Sequence, residues 1–96
     1  MRIALTIAGS DPSGGAGIQA DLKTFMRFGI HGLSAITSIA IQNSSGVKRV
    51  ADLKDHLLKE QLEVLFSDFY VNAVKTGMLY SKENILTVER ALVKNN

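Results

Sequence analysis

Apolar and polar positions along the chain follow two different rhythms. Ile3 to Ala8 (IALTIA) is a short apolar run rich in β-branched residues, and it stops at a polar, glycine-rich stretch from Gly9 to Gly15. That pattern predicts a buried strand followed by a loop. From Ala16 to Phe28 the spacing becomes helical. Ile18, Leu22, Phe25 and Met26 share one face, and Gln19, Lys23 and Arg27 share the other. Gly29 then stands where a helix ends. A second apolar run, Leu33 to Ile41, meets the polar stretch Gln42 to Gly46 and predicts another strand and loop. Leu53 to Phe69 predicts a longer amphipathic helix, with Leu57, Leu58, Leu62, Leu65 and Phe69 inward and Lys59, Glu60 and Glu63 outward. Val71 to Lys75 predicts a third strand, left through Thr76 to Leu79. Ser81 suits the N-cap of a last helix that carries Ile85, Val88, Leu92 and Val93 on its apolar side.

The order β-α-β-α-β-α, with strands apolar on both faces, predicts an α/β fold with a parallel sheet and helices packed against it. Such a sheet binds ligands beyond the carboxyl ends of its strands. Here those ends carry Gly9 to Gly15, Gln42 to Gly46 and Thr76 to Leu79, all polar or glycine-containing. A sheet of three apolar strands leaves its edges unpaired, so self-association through those edges is expected.

Composition narrows the function classes. The 96 residues allow one domain at most, spanning 1–96. A net charge of +2, from 11 Lys and Arg against 9 Asp and Glu scattered along the helices, makes no basic patch and argues against nucleic acid. The absence of cysteine removes disulfides, thiolate nucleophiles and cysteine-bound metals. The apolar start is short, and Asp11 and Pro12 interrupt it where a signal peptide would continue. No apolar run approaches the ~20 residues of a membrane span. A soluble, cytoplasmic protein without a membrane partner is expected. His31 and His56 are isolated and suggest neither a metal site nor a triad.

Gly15-Ala16-Gly17-Ile18-Gln19-Ala20 fits the dinucleotide fingerprint G-x-G-x-x-G/A after a strand. That fingerprint also wants an acidic residue about 20 positions on, to hold a ribose hydroxyl. No Asp or Glu lies between Asp21 and Asp52, which argues against a dinucleotide site. The G-x-x-x-x-G-K-[ST] phosphate loop is absent as well.

The run from Ala4 to Thr24 (ALTIAGSDPSGGAGIQADLKT), with Ala35 to Asn43 (AITSIAIQN) and Ala73 to Leu79 (AVKTGML), resembles the hydroxymethylpyrimidine kinases of thiamine biosynthesis. Those belong to the ribokinase-like fold, which pyridoxal kinases share. The resemblance implies a three-layer sheet of which only the N-terminal β-α-β-α-β-α part is present. It also implies ATP-dependent phosphorylation, with Mg²⁺, of 4-amino-5-hydroxymethyl-2-methylpyrimidine and then of its monophosphate. In the family the base, the anion hole and most of the ATP site lie in the C-terminal portion. No catalytic residue is therefore identified in this chain, its cofactor-binding residues stay unassigned, and the segment alone is expected to be inactive. A pyridoxal-type kinase fragment and a non-catalytic truncated binding module stay open as alternatives.

By the resemblance, Gln42 matches the position that hydrogen-bonds the pyrimidine, and an amide offers a heterocycle edge both a donor and an acceptor. The plainer alternative is a strand-end glutamine facing solvent. Gly9 matches a position lining the substrate pocket, although turn geometry alone would explain it. Asp21 sits at the edge of the helix's buried stripe and needs a partner, either a substrate hydroxyl or amine or the backbone N–H groups of Gly14 and Gly15. Asp11, before Pro12, is expected to organise the loop. Met78 could pack on a flat aromatic ring, although a buried methionine is commonly core filler.

Overall fold

The computed structural model describes residues 1–54 and 56–95. The run from Ile3 forms strand β1 (Ile3–Ser10), buried along its length on both faces. It is followed by helix α1 (Gly17–Arg27) and by strand β2 (His31–Asn43), which pairs with β1 in parallel from Ile3–His31 to Ala8–Ile36. Strand β3 (Gly46–Asp52) then returns antiparallel to β2. Helix α2 (Leu57–Asp68), strand β4 (Ala73–Thr76) and helix α3 (Lys82–Lys94) complete the described residues. The sheet order is β3-β2-β1-β4, with β4 parallel to β1.

Alternation along the strands makes three layers, because successive side chains leave opposite faces. Leu5, Ile7, Leu33 and Ala35 form one core with Leu58 and Leu62 of α2 and Val88 of α3. Thr6 faces α1 on the other side, where Leu22 and Phe25 lie against the backbone of Gly32. The α/β layering expected from the sequence is present, and Ser81 caps α3 by accepting from Asn84 N at 3.1 Å.

Two expectations are corrected. The sheet is mixed rather than all-parallel, because Gly46–Asp52 is a strand where the sequence predicted no element between the loop ending at Gly46 and the helix from Leu53. Its sequence, GVKRVAD, is exposed over most of its length and lacks an alternating apolar face, so the pattern that marks strands is missing. α2 accordingly starts at Leu57 and not at Leu53. The helices' apolar stripes are also wider than the surface that covers them. Met26 is 79% exposed, and Leu57, Ile85 and Val93 also face solvent.

Candidate functional site

The loop after β1 is built around Asp11. Its buried carboxylate accepts from Ser13 N (2.9 Å), from the Ser13 hydroxyl (2.6 Å) and from Ala16 N (2.8 Å). The Ser13 hydroxyl bond holds this carboxyl below the usual aspartate range. Burial pulls it the other way, and the backbone N–H groups of Ser13, Ala16 and Gly15 add to the lowering. Asp11 thus organises the loop, as expected. Gln19 turns back from α1 to the same loop, accepting from Asp11 N and donating to the Ser10 hydroxyl, both at 2.8 Å. Helical spacing had put Gln19 on the outer face; only the returning loop gives it partners. Gly17 opens α1 at φ +63°, and a Cβ there would run into the Gly9 carbonyl oxygen, which ties the loop tightly to the end of β1.

Gly9 lies near the carboxyl end of β1, beside the middle of β2 and the turn that leaves β4. A Cβ on Gly9 would stand 2.9 Å from the Ser38 hydroxyl and 3.3 Å from Met78 Cε. The register between β1 and β2 shifts between Ala8–Ile36 and Ser10–Ile39, so β2 carries one extra residue there. Consecutive Thr37 and Ser38 are both fully buried as a result. The Thr37 hydroxyl donates to Met78 O (2.7 Å), and Asn84 of α3 donates to Leu79 O (2.8 Å), so the turn after β4 is held from two sides. Met78 itself is half-exposed and is not core filler.

The structure brings Gly9 and Met78 together but leaves Gln42 apart. Gln42 pairs with Val47 on the overhanging β2–β3 hairpin, four residues beyond Ser38, a separation of about 13 Å along an extended strand. It is half-buried, beside Ile41 and Val47 in a shallow depression. Of the partners expected from the sequence, the backbone N–H groups of Gly14 and Gly15 are not the ones Asp21 takes. Its Oδ2 accepts from the Thr6 hydroxyl (2.6 Å) and from Lys75 Nζ (2.8 Å). Thr6 and Lys75 are register partners on the face that α1 covers, so the carboxylate meets the sheet and not the glycine loop. Lys75 Nζ in turn lies 3.2 Å from the point a Cβ on Gly77 would occupy.

A concavity of about 680 Å³ lies elsewhere, between α2 and α3, where Leu62, Phe66, Arg90 and Ala91 contribute to its walls. None of its lining residues belongs to the Gly9 cluster, and among the described residues it has no buried, unpartnered side-chain oxygen such as Ser38 Oγ. The end of β1, where backbone, hydroxyl and thioether converge, is the better-built site.

The family model described as phosphomethylpyrimidine kinase matches residues 11–96. A hydroxymethylpyrimidine/phosphomethylpyrimidine kinase from Rhizobium meliloti is 50% identical over 90 residues, which cover 94% of this chain and 34% of that protein. The crystal structure of a phosphomethylpyrimidine kinase from Clostridium difficile superposes with a TM-score of 0.95 at 52% identity, covering all of this chain and 42% of that one. A pyridoxal kinase from Staphylococcus aureus, in complex with AMP-PCP and pyridoxal, gives a TM-score of 0.89 at 38% identity over 36% of its length. The chain therefore spans about a third of the length of the curated relatives it matches.

Proposed function

We propose, for a chain that belongs to the phosphomethylpyrimidine kinase family, that residues 1–96 form the substrate-side half of an ATP-dependent kinase. Its substrates would be 4-amino-5-hydroxymethyl-2-methylpyrimidine and the corresponding monophosphate, in the cytoplasmic synthesis of thiamine. The observation that carries this is the meeting of Gly9, Ser38 and Met78 near the carboxyl end of β1. Bare backbone at Gly9 lets a flat ring approach, and the Met78 thioether offers it a soft, polarisable wall. Gln42, on the overhanging hairpin, would read the donors and acceptors of the ring edge. Asp21 would act by fixing Lys75 beside Gly77, since the oxygen it presents is already shared by Thr6 and Lys75.

The residues present do not fit the ATP and Mg²⁺ half of the reaction. A magnesium site needs carboxylate oxygens turned toward phosphates. Both oxygens of Asp11 accept bonds from the loop, and Asp21 is bound to a cation. No step of phosphoryl transfer is assigned to them. Binding and orientation of the acceptor are what these residues supply, and the segment alone would bind without turnover. The open β4 edge would favour self-association, because an unpaired strand is a template for another.

An amide NMR titration tests the reading, with 4-amino-5-hydroxymethyl-2-methylpyrimidine against pyridoxal. Shifts concentrated at Gly9, Asp21 and Gln42 and larger for the pyrimidine are expected. Larger shifts with pyridoxal would transfer the site to a pyridoxal-type kinase. A well-dispersed spectrum indifferent to both ligands would leave a non-catalytic module.

A further inference from the structure

Among the described residues, the Ser38 hydroxyl is a fully buried side-chain oxygen without a hydrogen-bond partner. Leaving such a group unpaired is costly, and in folded proteins it calls for a reason. The neighbouring Thr37 commits its own hydroxyl to Met78 O, so the bulge in β2 does not by itself leave hydroxyls idle. Ser38 Oγ instead faces Gly9, where any side chain would stand 2.9 Å away. Met78 Cε reaches the same point at 3.3 Å, and Met78 as a residue is half-exposed. The hydroxyl thus faces bare backbone, and a thioether with three rotatable bonds reaches the same point from Met78.

Resting on the functional proposal above, we infer that Ser38 is a substrate-binding residue, covered by Met78 until the ligand arrives. Rotation of Met78 away from Gly9 opens the space above the glycine and presents Ser38 Oγ to the polar edge of the heteroaromatic ring. A hydroxyl can turn to donate to a ring nitrogen or to accept from an exocyclic amine, so one side chain serves either atom. The bond absent in the free protein is then made only in the complex. This is the opposite of a structural serine, whose partner is present from the start.

Calorimetric titration of the complete polypeptide carrying these residues with 4-amino-5-hydroxymethyl-2-methylpyrimidine, together with thermal melts in the absence of ligand, separates the two cases. Ser38→Ala is expected to raise Kd about tenfold, the loss of one hydrogen bond to a ligand, without lowering the melting temperature of the free protein. Ser38→Cys, which keeps the shape with a weaker donor, should fall between. An unchanged Kd for Ser38→Ala beside a wild type that binds would overturn the role of Ser38 and leave the proposed function standing. A lower melting temperature without ligand would also overturn it, because the hydroxyl would then be structural. A wild type that binds neither the pyrimidine nor pyridoxal would remove both proposals.

Discussion

Asp21 of α1 and Lys75 of β4, 54 residues apart in the chain, meet at 2.8 Å across the face of the sheet. The same carboxylate oxygen takes the hydroxyl of fully buried Thr6 at 2.6 Å. One acidic residue thus joins the first helix, the central strand and the open edge strand, and it holds an ammonium beside Gly77 at the exit of β4.

The two partners contribute unequally. Lys75 is 48% exposed, so solvent screens the ion pair, and Lys75→Ala should cost about 0.5 kcal/mol. Asp21→Ala leaves a buried threonine hydroxyl without its acceptor and should cost roughly 1–3 kcal/mol. Urea unfolding of both single variants and the double variant measures this, and equal costs would contradict the assignment of Thr6 as the main beneficiary.

Gln61 is the second cross-layer clamp. Its side chain accepts from Ile36 N at 2.8 Å and donates to Ile36 O at 3.0 Å, just short of where β3 starts to pair with β2 at Ser38–Asp52. A side chain thereby stands in for a neighbouring strand. Gln61→Ala strands two backbone groups and should lower stability by roughly 1–3 kcal/mol, and Gln61→Glu, which keeps the acceptor but sets a carboxylate oxygen against the carbonyls of Ile36 and Leu57, should lose at least as much. Parallel denaturation curves for the two variants give the comparison.

Asp11 makes stability depend on pH in one direction. Its folded carboxyl titrates below the unfolded value of about 4, so the ionised form stabilises the fold above that pH. The contribution is fully present at neutral pH and declines as pH falls through the folded value. The stability difference between wild type and Asp11→Asn should therefore be constant from pH 7 to about pH 5 and shrink below about pH 4. Denaturation series across this range check it; a difference that grows in acid would be the wrong sign.

Much of this arrangement was legible in the sequence where one physical cause dominates. IALTIA reads as a strand because it is buried on both faces, and Asp11 before Pro12 reads as a loop organiser because its bonds are local. The hairpin strand β3 was not legible, because residues exposed on both faces leave no periodicity to detect. Gln19 looks like a wet-face residue of an amphipathic helix, and Gln61 is a polar residue inside the stripe set by Leu57, Leu58, Leu62 and Leu65. Their partners come from a loop and a strand that no helical wheel contains. Asp21 was visible as a carboxylate in need of a partner, but the choice of Thr6 and Lys75 follows from the parallel register of β1 and β4. Ser38 sits in an apolar run and carries no signal of its own; its place opposite Gly9 depends on a one-residue bulge.

Gly9 and Ser38 should be energetically coupled through that contact. Gly9→Ala places a methyl group 2.9 Å from Ser38 Oγ, too close for either to stay, and 3.3 Å from Met78 Cε, which can move aside. Overpacking of this kind costs about 1–3 kcal/mol, and loss of glycine's freedom in the unfolded chain returns roughly 0.4–1 kcal/mol. A net destabilisation of roughly 1–2 kcal/mol is expected for Gly9→Ala. Removing the opposing oxygen should relieve it, so Gly9→Ala with Ser38→Ala should recover most of the loss, a coupling of about 1 kcal/mol in a double-mutant cycle. Strictly additive costs would mean that the two residues do not press on each other.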